Sequence, residues 1–139
     1  MREEVKREIA TGGWTKDSLK RMYKVDSFLR ESQRYSSIES FTMQRKAMTN
    51  HTLSDGTFLP KGSIVVSNAY AIHRLGSSYD NANEFKPFRF SDANKESASV
   101  GPNNQLATIS NDYLVFGHGR QAWYVSLLLY MSVLSLNMF

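Results

Sequence analysis

One short run of the chain combines residue types that could hold a bound group, Phe116-Gly117-His118-Gly119-Arg120. Its two glycines, one residue apart, allow the backbone to turn sharply and to approach a ligand closely. The phenylalanine before them offers an apolar ring, and the arginine after them carries a fixed positive charge. This combination predicts a loop that wraps around a flat, anionic group.

A second set of candidates consists of charged residues that could pair inside the protein. Glu31 and Arg34 lie three positions apart in a segment with helical apolar spacing, so they share a helix face and can form an ion pair. Arg89 is flanked by two aromatic residues, a setting that favours a buried partner, and Glu31 is the candidate. A surface arginine that lies over the aromatic rings is the alternative for Arg89. A solvated surface pair remains the alternative, because Glu4 and Arg7 have the same spacing.

Composition excludes several other kinds of site. The chain has no cysteine, which excludes disulfides, zinc–thiolate sites and iron–sulfur clusters. Its three histidines show no metal-ligand spacing, and the two glycines do not follow the strand–GxGxxG–helix pattern of dinucleotide sites. The net charge of +4 is mild and is not accompanied by an arginine cluster, so we expect no nucleic-acid partner.

The candidate residues must be positioned by regular elements, and the order of the sequence patterns predicts an α+β fold. Helices come first, followed by a small antiparallel sheet and then long loops. A helix is predicted over residues 1–11 and ends at a pair of glycines. Thr15 is the predicted N-cap of a short helix that ends near Arg21. A further helix, from about Tyr23 to Tyr35, carries Glu31 and Arg34.

The period of the pattern changes from helical to alternating after residue 35. Alternation around Met43 predicts a strand that ends at Arg45, whose alternative interpretation is an exposed strand charge. The turn residues Ser54-Asp55-Gly56 predict a hairpin, and residues 63–67 predict another strand. A short helix is predicted within residues 68–75.

Two later stretches differ from the rest in composition. Residues 91–111 are mostly polar and are predicted to be a flexible surface insertion. Residues 121–139 carry no charge and approach the length of a membrane span, although serines dilute them. A buried C-terminal segment is the favoured interpretation of this tail, and a membrane anchor is the alternative.

The order of the motifs resembles the C-terminal part of a cytochrome P450, in a form similar to that of fungal members. The resemblance covers residues 1–122 and stops abruptly after Ala122. Each motif alone is common, whereas five in this order are specific. The matching segments are Phe28 to Arg34, Thr42 to Arg45, Leu53 to Thr57, Phe85 to Phe90 and Phe116 to Ala122.

The resemblance implies a role for each candidate residue. Glu31, Arg34 and Arg89 would form a structural ion-pair network that fastens the long loop region to the core near a haem. Arg45 would contact a haem propionate, which suits a guanidinium fork. The haem-binding positions would be Phe116, Gly117, Gly119 and Gln121.

Two positions depart from the pattern of the family. Gln121 stands where the family usually has a basic residue. Trp123 stands where the cysteine that ligates the haem iron is expected, so no metal ligand is assigned in this chain. The abrupt end of the resemblance favours a change of reading, such as an unspliced intron or a frameshift, and residues 123–139 are interpreted as a non-matching apolar tail. This hypothesis fails if the transcript continues into the Trp123 codon as the true reading.

The resemblance implies a haem-thiolate monooxygenase that inserts one oxygen atom from O2 into an apolar organic substrate. The intact member would use a reductase and lie at the endoplasmic reticulum membrane. This chain alone is expected to be inactive, because the iron-ligating cysteine is absent. The alternatives are a non-catalytic remnant and a membrane-associated interaction module that uses the apolar tail.

Overall fold

The computed structural model describes residues 1–37, 39–91, 105–106, 108–119 and 122. Helices α1 to α3 come first, then strands β1 to β4, and a short helix α4 follows. This order confirms the predicted α+β class. The bounds are α1 Arg2–Gly12, α2 Lys16–Lys20, α3 Tyr23–Ser36, β1 Phe41–Lys46, β2 His51–Thr52, β3 Phe58–Leu59, β4 Ile64–Asn68 and α4 Ala69–Ile72.

The first three helices enclose a small apolar core. Leu19 and Met22 are buried at its centre, and half-buried apolar side chains of α1 and α3 pack on them. Thr15 caps α2 as predicted, because its hydroxyl oxygen accepts a hydrogen bond from the Ser18 amide at 3.2 Å. The carboxylate of Glu4 accepts hydrogen bonds from the amides of residues 24 and 25. A side chain of α1 thus supplies partners for free amides in the first turn of α3.

The four strands form two antiparallel two-stranded sheets. Strand β1 pairs with β4, and the hairpin of β2 and β3 lies between them in the chain. The predicted turn closes this hairpin, with Gly56 at a φ of 88° and Asp55 accepting the amide of residue 57. The register of β1 against β4 shifts between Thr42 and Arg45, where Met43 has a φ of 53°.

A second core forms after the sheet. Tyr79 and Phe90 are buried there and meet edge to face, with their ring centroids 6.3 Å apart. The stretch 91–111, predicted to be a flexible insertion, is packed at its two described ends, where Ser91 and Leu106 are buried. Leu106 is held because its amide donates to the Asp26 carboxylate on α3. Residues 92–104 and 107 lie outside the described residues.

Within the described residues, no helix is long and apolar enough to cross a membrane. The tail from 123 to 139 lies outside those residues. The choice between a buried segment and a membrane anchor therefore stays a prediction.

Candidate functional site

The carboxylate of Glu31 is the centre of a buried charge network. Arg34, one helical turn later on α3, donates to Glu31 Oε2 from Nε at 2.7 Å and to Oε1 from Nη2 at 2.8 Å. Both side chains are 0% exposed, so this two-point pair is fully removed from water. The three-residue spacing on a helix makes the geometry possible.

Arg89 reaches the same carboxylate from a distant part of the chain. Its Nε lies 3.2 Å from Glu31 Oε1 and 3.1 Å from Oε2, and its side chain is 10% exposed. The Lys86 amide also donates to Oε1, at 2.9 Å. The structure thus brings together all three residues that the sequence assigned to an ion-pair network.

Several donors compensate for the burial of this carboxylate. Burial by itself would raise the pKa of Glu31, but hydrogen bonds from Arg34 and the Lys86 amide, together with the two arginine charges, hold it below its ordinary value. Glu31 is therefore an ionised carboxylate with a structural task. It has no proton to give at neutral pH.

Arg34 also fastens three backbone segments to α3. Its guanidinium donates to the carbonyl oxygens of His73 at 2.6 Å, Ala82 at 2.8 Å and Glu84 at 3.3 Å. Arg89 donates to backbone carbonyls of the same region, including that of Glu84 at 3.0 Å. Residues 73–90 have little regular structure. The arginine side chains therefore satisfy backbone carbonyl oxygens that a helix or sheet would otherwise satisfy.

Arg30 is a buried cation that the sequence did not single out. Its guanidinium lies 3.9 Å from the ring centroid of Tyr113 and 5.0 Å from that of Phe90. It donates to the carbonyl oxygens of Gln105 and, at 2.9 Å, Thr108. Burial lowers the pKa of Arg30. Arg30 thereby attaches the segment before the glycine-containing loop to α3.

Tyr113 and His73 complete this attachment. Tyr113 is buried and donates from its hydroxyl to Gln33 on α3 at 2.8 Å. His73 is also buried, and its Nε2 accepts the Leu114 amide at 2.9 Å. Neither residue has a local sequence signal, because each bond joins positions 41 or 80 residues apart.

The glycine-containing loop follows directly. Phe116 is buried and meets Tyr113 edge to face at 6.4 Å. Gly117 and Gly119 have φ values of 75° and 74°, a region that favours glycine. A Cβ on Gly117 would lie 3.9 Å from the Met43 side chain, so the loop runs against β1.

The remaining candidates are Arg45 and Gln121. Arg45 is exposed on β1, and its Nη1 donates to the Gln44 carbonyl at 2.8 Å. Gln121 and Trp123 lie outside the described residues. Among the described residues, no group of three or more His, Asp or Glu side chains could hold a metal ion.

The family of the chain follows from its sequence relatives. The cytochrome P450 family model matches residues 1–122. The chain belongs to the cytochrome P450 family. Haem is the cofactor that this family implies. The glycine-containing loop lies within the matched residues, which end at Ala122.

The P450 relatives are fungal proteins of greater length. Cytochrome P450 monooxygenase 71 of Postia placenta is 43% identical over 122 residues, which are 88% of this chain and 24% of that protein. Cytochrome P450 monooxygenase CYP512U6 of Ganoderma lucidum is 41% identical over 121 residues, 87% of this chain and 24% of that protein. Cytochrome P450 monooxygenase hepE of Aspergillus oryzae is 38% identical over 124 residues, 88% of this chain and 22% of that protein. The chain spans about a quarter of the length of these relatives.

The residues present fit part of the P450 haem environment. A loop with two left-handed glycines and a buried Phe116 offers close backbone approach beside an apolar ring. Arg45 offers an exposed guanidinium on the strand that lies next to the loop. The donor set does not fit thiolate ligation, because the chain has no cysteine.

Proposed function

We propose that residues 1–122 are the part of a haem-thiolate monooxygenase that surrounds the iron-ligand side of the haem, and that this chain lacks the ligand. The observation that supports this most is the Glu31 carboxylate held by Arg34 and Arg89. A buried ion pair is costly to form and requires near-ideal geometry. Its presence in a chain of this family indicates a scaffold that maintains one loop arrangement.

The residues of the proposed site divide into supports and contacts. Glu31, Arg34 and Arg89 support the long loop region and touch no substrate. Arg45 would bind a haem propionate through its guanidinium, a geometry suited to a carboxylate. The two glycines of the loop would allow the backbone to pass beneath the porphyrin, and Phe116 would pack near the iron ligand.

For the whole enzyme, the proposed reaction is the insertion of one oxygen atom from O2 into an apolar organic substrate, with electrons from a reductase. The relatives named above are monooxygenases, which supports this class. The endoplasmic reticulum membrane is the proposed location of the intact enzyme. Relatives named for individual fungal gene products, such as hepE and sdnQ, make secondary metabolism the proposed setting.

Trp123 is the reason to propose that this chain does not itself catalyse the reaction. A cysteine thiolate on the iron donates electron density that favours O–O cleavage. The indole nitrogen of tryptophan is only a hydrogen-bond donor and cannot take this position. This polypeptide is therefore proposed to be a non-catalytic remnant that shares the ancestry of the monooxygenases.

Restoring the ligand tests the proposal. The full chain and its Trp123→Cys variant would be mixed with haem, reduced and exposed to carbon monoxide. We expect a thiolate-type absorption band from the cysteine variant and none from the unchanged chain. Trp123→Ser is the matched control, since serine has the size of cysteine without the thiolate. A thiolate-type band from the unchanged chain, or none from the cysteine variant, contradicts the proposal.

The uncharged tail supports a second candidate, a membrane-associated interaction module. Residues 121–139 contain no Asp, Glu, Lys or Arg. A soluble carrier fused to these residues would bind lipid vesicles if the tail enters a membrane, and a carrier fused to residues 91–111 is the control. If the fusion with the tail stays in the supernatant, this second candidate fails.

A further inference from the structure

One buried histidine joins α3 to the start of the haem-binding loop. His73 is 1% exposed, and it follows α4 directly. Its Nε2 accepts the Leu114 amide at 2.9 Å, two residues before Phe116. Its Nδ1 lies 3.3 Å from the hydroxyl oxygen of Ser37, the C-cap residue of α3. The ring therefore lies between two separate parts of the backbone.

These contacts determine which tautomer the ring adopts. A backbone amide can only donate, so Nε2 must carry a lone pair and no proton. The single proton of the neutral ring then lies on Nδ1 and points to Ser37 Oγ. The Ser37 hydroxyl in turn donates to the Arg34 carbonyl at 3.1 Å. A directed series of hydrogen bonds therefore runs from Leu114 through His73 to the end of α3.

We propose that His73 is a positioning residue for the haem-binding loop: its neutral Nδ1–H tautomer ties the Leu114 amide to α3 and so determines where the loop leaves the core. The meaning of that loop rests on the proposed function, whereas the bond to Leu114 does not. Phe116 is buried two residues later, so a shift at Leu114 is transmitted to the ring that begins the loop.

The charges around the ring oppose a second proton. Arg30 and Arg34 face it from α3, and Arg74 follows it in the chain. Asp112, from the segment before the loop, acts in the opposite direction, and the Tyr113 ring lies 5.7 Å away between centroids. Burial and the three arginines lower the pKa of His73 to about 4. The ring thus stays a hydrogen-bond acceptor at neutral pH.

A second proton would remove the acceptor. Protonated His73 would present N–H on Nε2 to the N–H of Leu114, and two donors cannot bond. The attachment of the loop to α3 is therefore expected to hold near neutral pH and to be lost as the pH falls to the His73 pKa. A residue that only fills space would not show this dependence.

Nuclear magnetic resonance of the full chain without added haem tests the inference. Nitrogen-15 correlations of the imidazole rings report which nitrogen is protonated, and the exposed His51 and His118 supply reference signals. We expect Nδ1–H at His73 near neutral pH. We expect the Leu114 amide to be protected from hydrogen exchange relative to an unstructured peptide, with about tenfold less protection once the ring is protonated.

Two substitutions separate positioning from general packing. His73→Gln places a carbonyl acceptor near the Nε2 position without a titrating group, so protection of Leu114 should persist and lose its pH dependence. His73→Leu keeps an apolar volume and should reduce protection about tenfold at every pH. His118→Gln is the control for an exposed histidine and should change neither quantity.

The outcomes are distinct. A proton on Nε2 near neutral pH, or equal Leu114 exchange in the unchanged chain and in His73→Leu, overturns the inference. If His73→Leu also exposes the amides of α3, the glutamine variant decides, because retained pH dependence in that variant would overturn the inference as well. Absence of a thiolate-type band from the Trp123→Cys variant, with the Leu114 result as expected, would count against the proposed function alone.

Discussion

Helix α3 and the β1–β4 sheet distribute their side chains in opposite ways. The side chains that α3 buries are all polar or charged, whereas the sheet leaves large apolar side chains in contact with solvent. The buried set is Asp26, Ser27, Arg30, Glu31 and Arg34. The exposed set is Phe41, Ile64, Val65 and Val66.

The difference shows that burial in this chain follows the availability of partners more than polarity. A buried charge is tolerated when hydrogen bonds, an opposite charge or both replace water. Each charged side chain that α3 buries receives such partners from residues far along the chain, as Glu31 does from Arg89 and Asp26 does from Leu106. The sheet, in contrast, leaves apolar side chains of β1 and β4 exposed on both of its faces.

Removing the central carboxylate is the strongest test of this contrast. Glu31→Gln would leave the buried Arg34 and Arg89 without a counter-charge, and breaking a buried pair in this way costs about 3–5 kcal/mol. Urea unfolding followed by circular dichroism would measure the loss. Asp80→Asn, which removes an exposed partner of Lys86, is the matched control and should cost far less, because water screens exposed ion pairs. An equal decrease in the free energy of unfolding of the two variants would show that the buried arginines do not depend on the Glu31 charge.

Acidification should weaken the α3 region next. The unfolded His73 ring takes up a proton near its ordinary pKa of 6.5, whereas the folded ring does so only near about 4. The contribution of His73 to stability is fully present above about pH 6.5 and is lost as the pH falls toward about 4, because the unfolded state then binds more protons. The loss amounts to at most roughly 3 kcal/mol.

Comparison with His73→Gln isolates this contribution from that of the carboxylates. The difference in free energy of unfolding between the unchanged chain and the variant should decrease across that pH window. A difference that stays constant would show that the folded ring titrates as it does in the unfolded chain.

The buried cation on α3 should have the third largest effect. Arg30→Lys keeps the charge but loses the flat stacking on Tyr113 and the fork that reaches two carbonyl oxygens, at an expected cost of about 1–3 kcal/mol. Lys24→Gln removes an exposed cation that lies 5.6 Å from the Phe88 ring and should cost about 0.5–1 kcal/mol or less. Chemical denaturation of both variants measures the difference, and a smaller loss for Arg30→Lys would contradict it.

The smallest effect is expected on the sheet. Ile64→Thr retains a β-branched side chain at a position that is 64% exposed, so the free energy of unfolding should change by about 0.5 kcal/mol or less. Self-association of the chain, measured by sedimentation, should decrease because the exposed apolar area is smaller. A loss of stability well above that value would show that Ile64 is buried in the folded state.

The sequence was sufficient for the features that local patterns encode. The helix boundaries, the Thr15 cap and the hairpin around Gly56 all depend on residues within a few positions of each other. The meeting of Glu31 with Arg34 follows from helical spacing. The pairing of Arg89 with Glu31 was predicted from the aromatic neighbours of Arg89 and from the family resemblance.

The sequence was insufficient where bonds join distant positions. Arg30 lies beside Glu31 and has the appearance of a solvated helix charge until Tyr113 and Phe90 are placed against it. Glu4 and Arg7 have the same Glu-x-x-Arg spacing, but the Glu4 carboxylate accepts backbone amides of α3. The spacing alone cannot distinguish a Glu that pairs with the Arg, as Glu31 does, from a Glu that accepts backbone amides, as Glu4 does. In both cases the Glu and the Arg lie on the same face of the helix.

The large sequence separation of the residues that bond to α3 also determines when the contacts of that helix can form during synthesis. Glu31 obtains Arg89 only 58 residues later, and both Asp26 and Gln33 obtain their partners 80 residues later. A ribosome that has made α3 can form the Glu31–Arg34 pair at once, but it must add most of the remaining chain before the distant partners of this helix are available. Contacts at such separations slow folding, so the nascent helix is a candidate substrate for chaperones until Tyr113 has emerged.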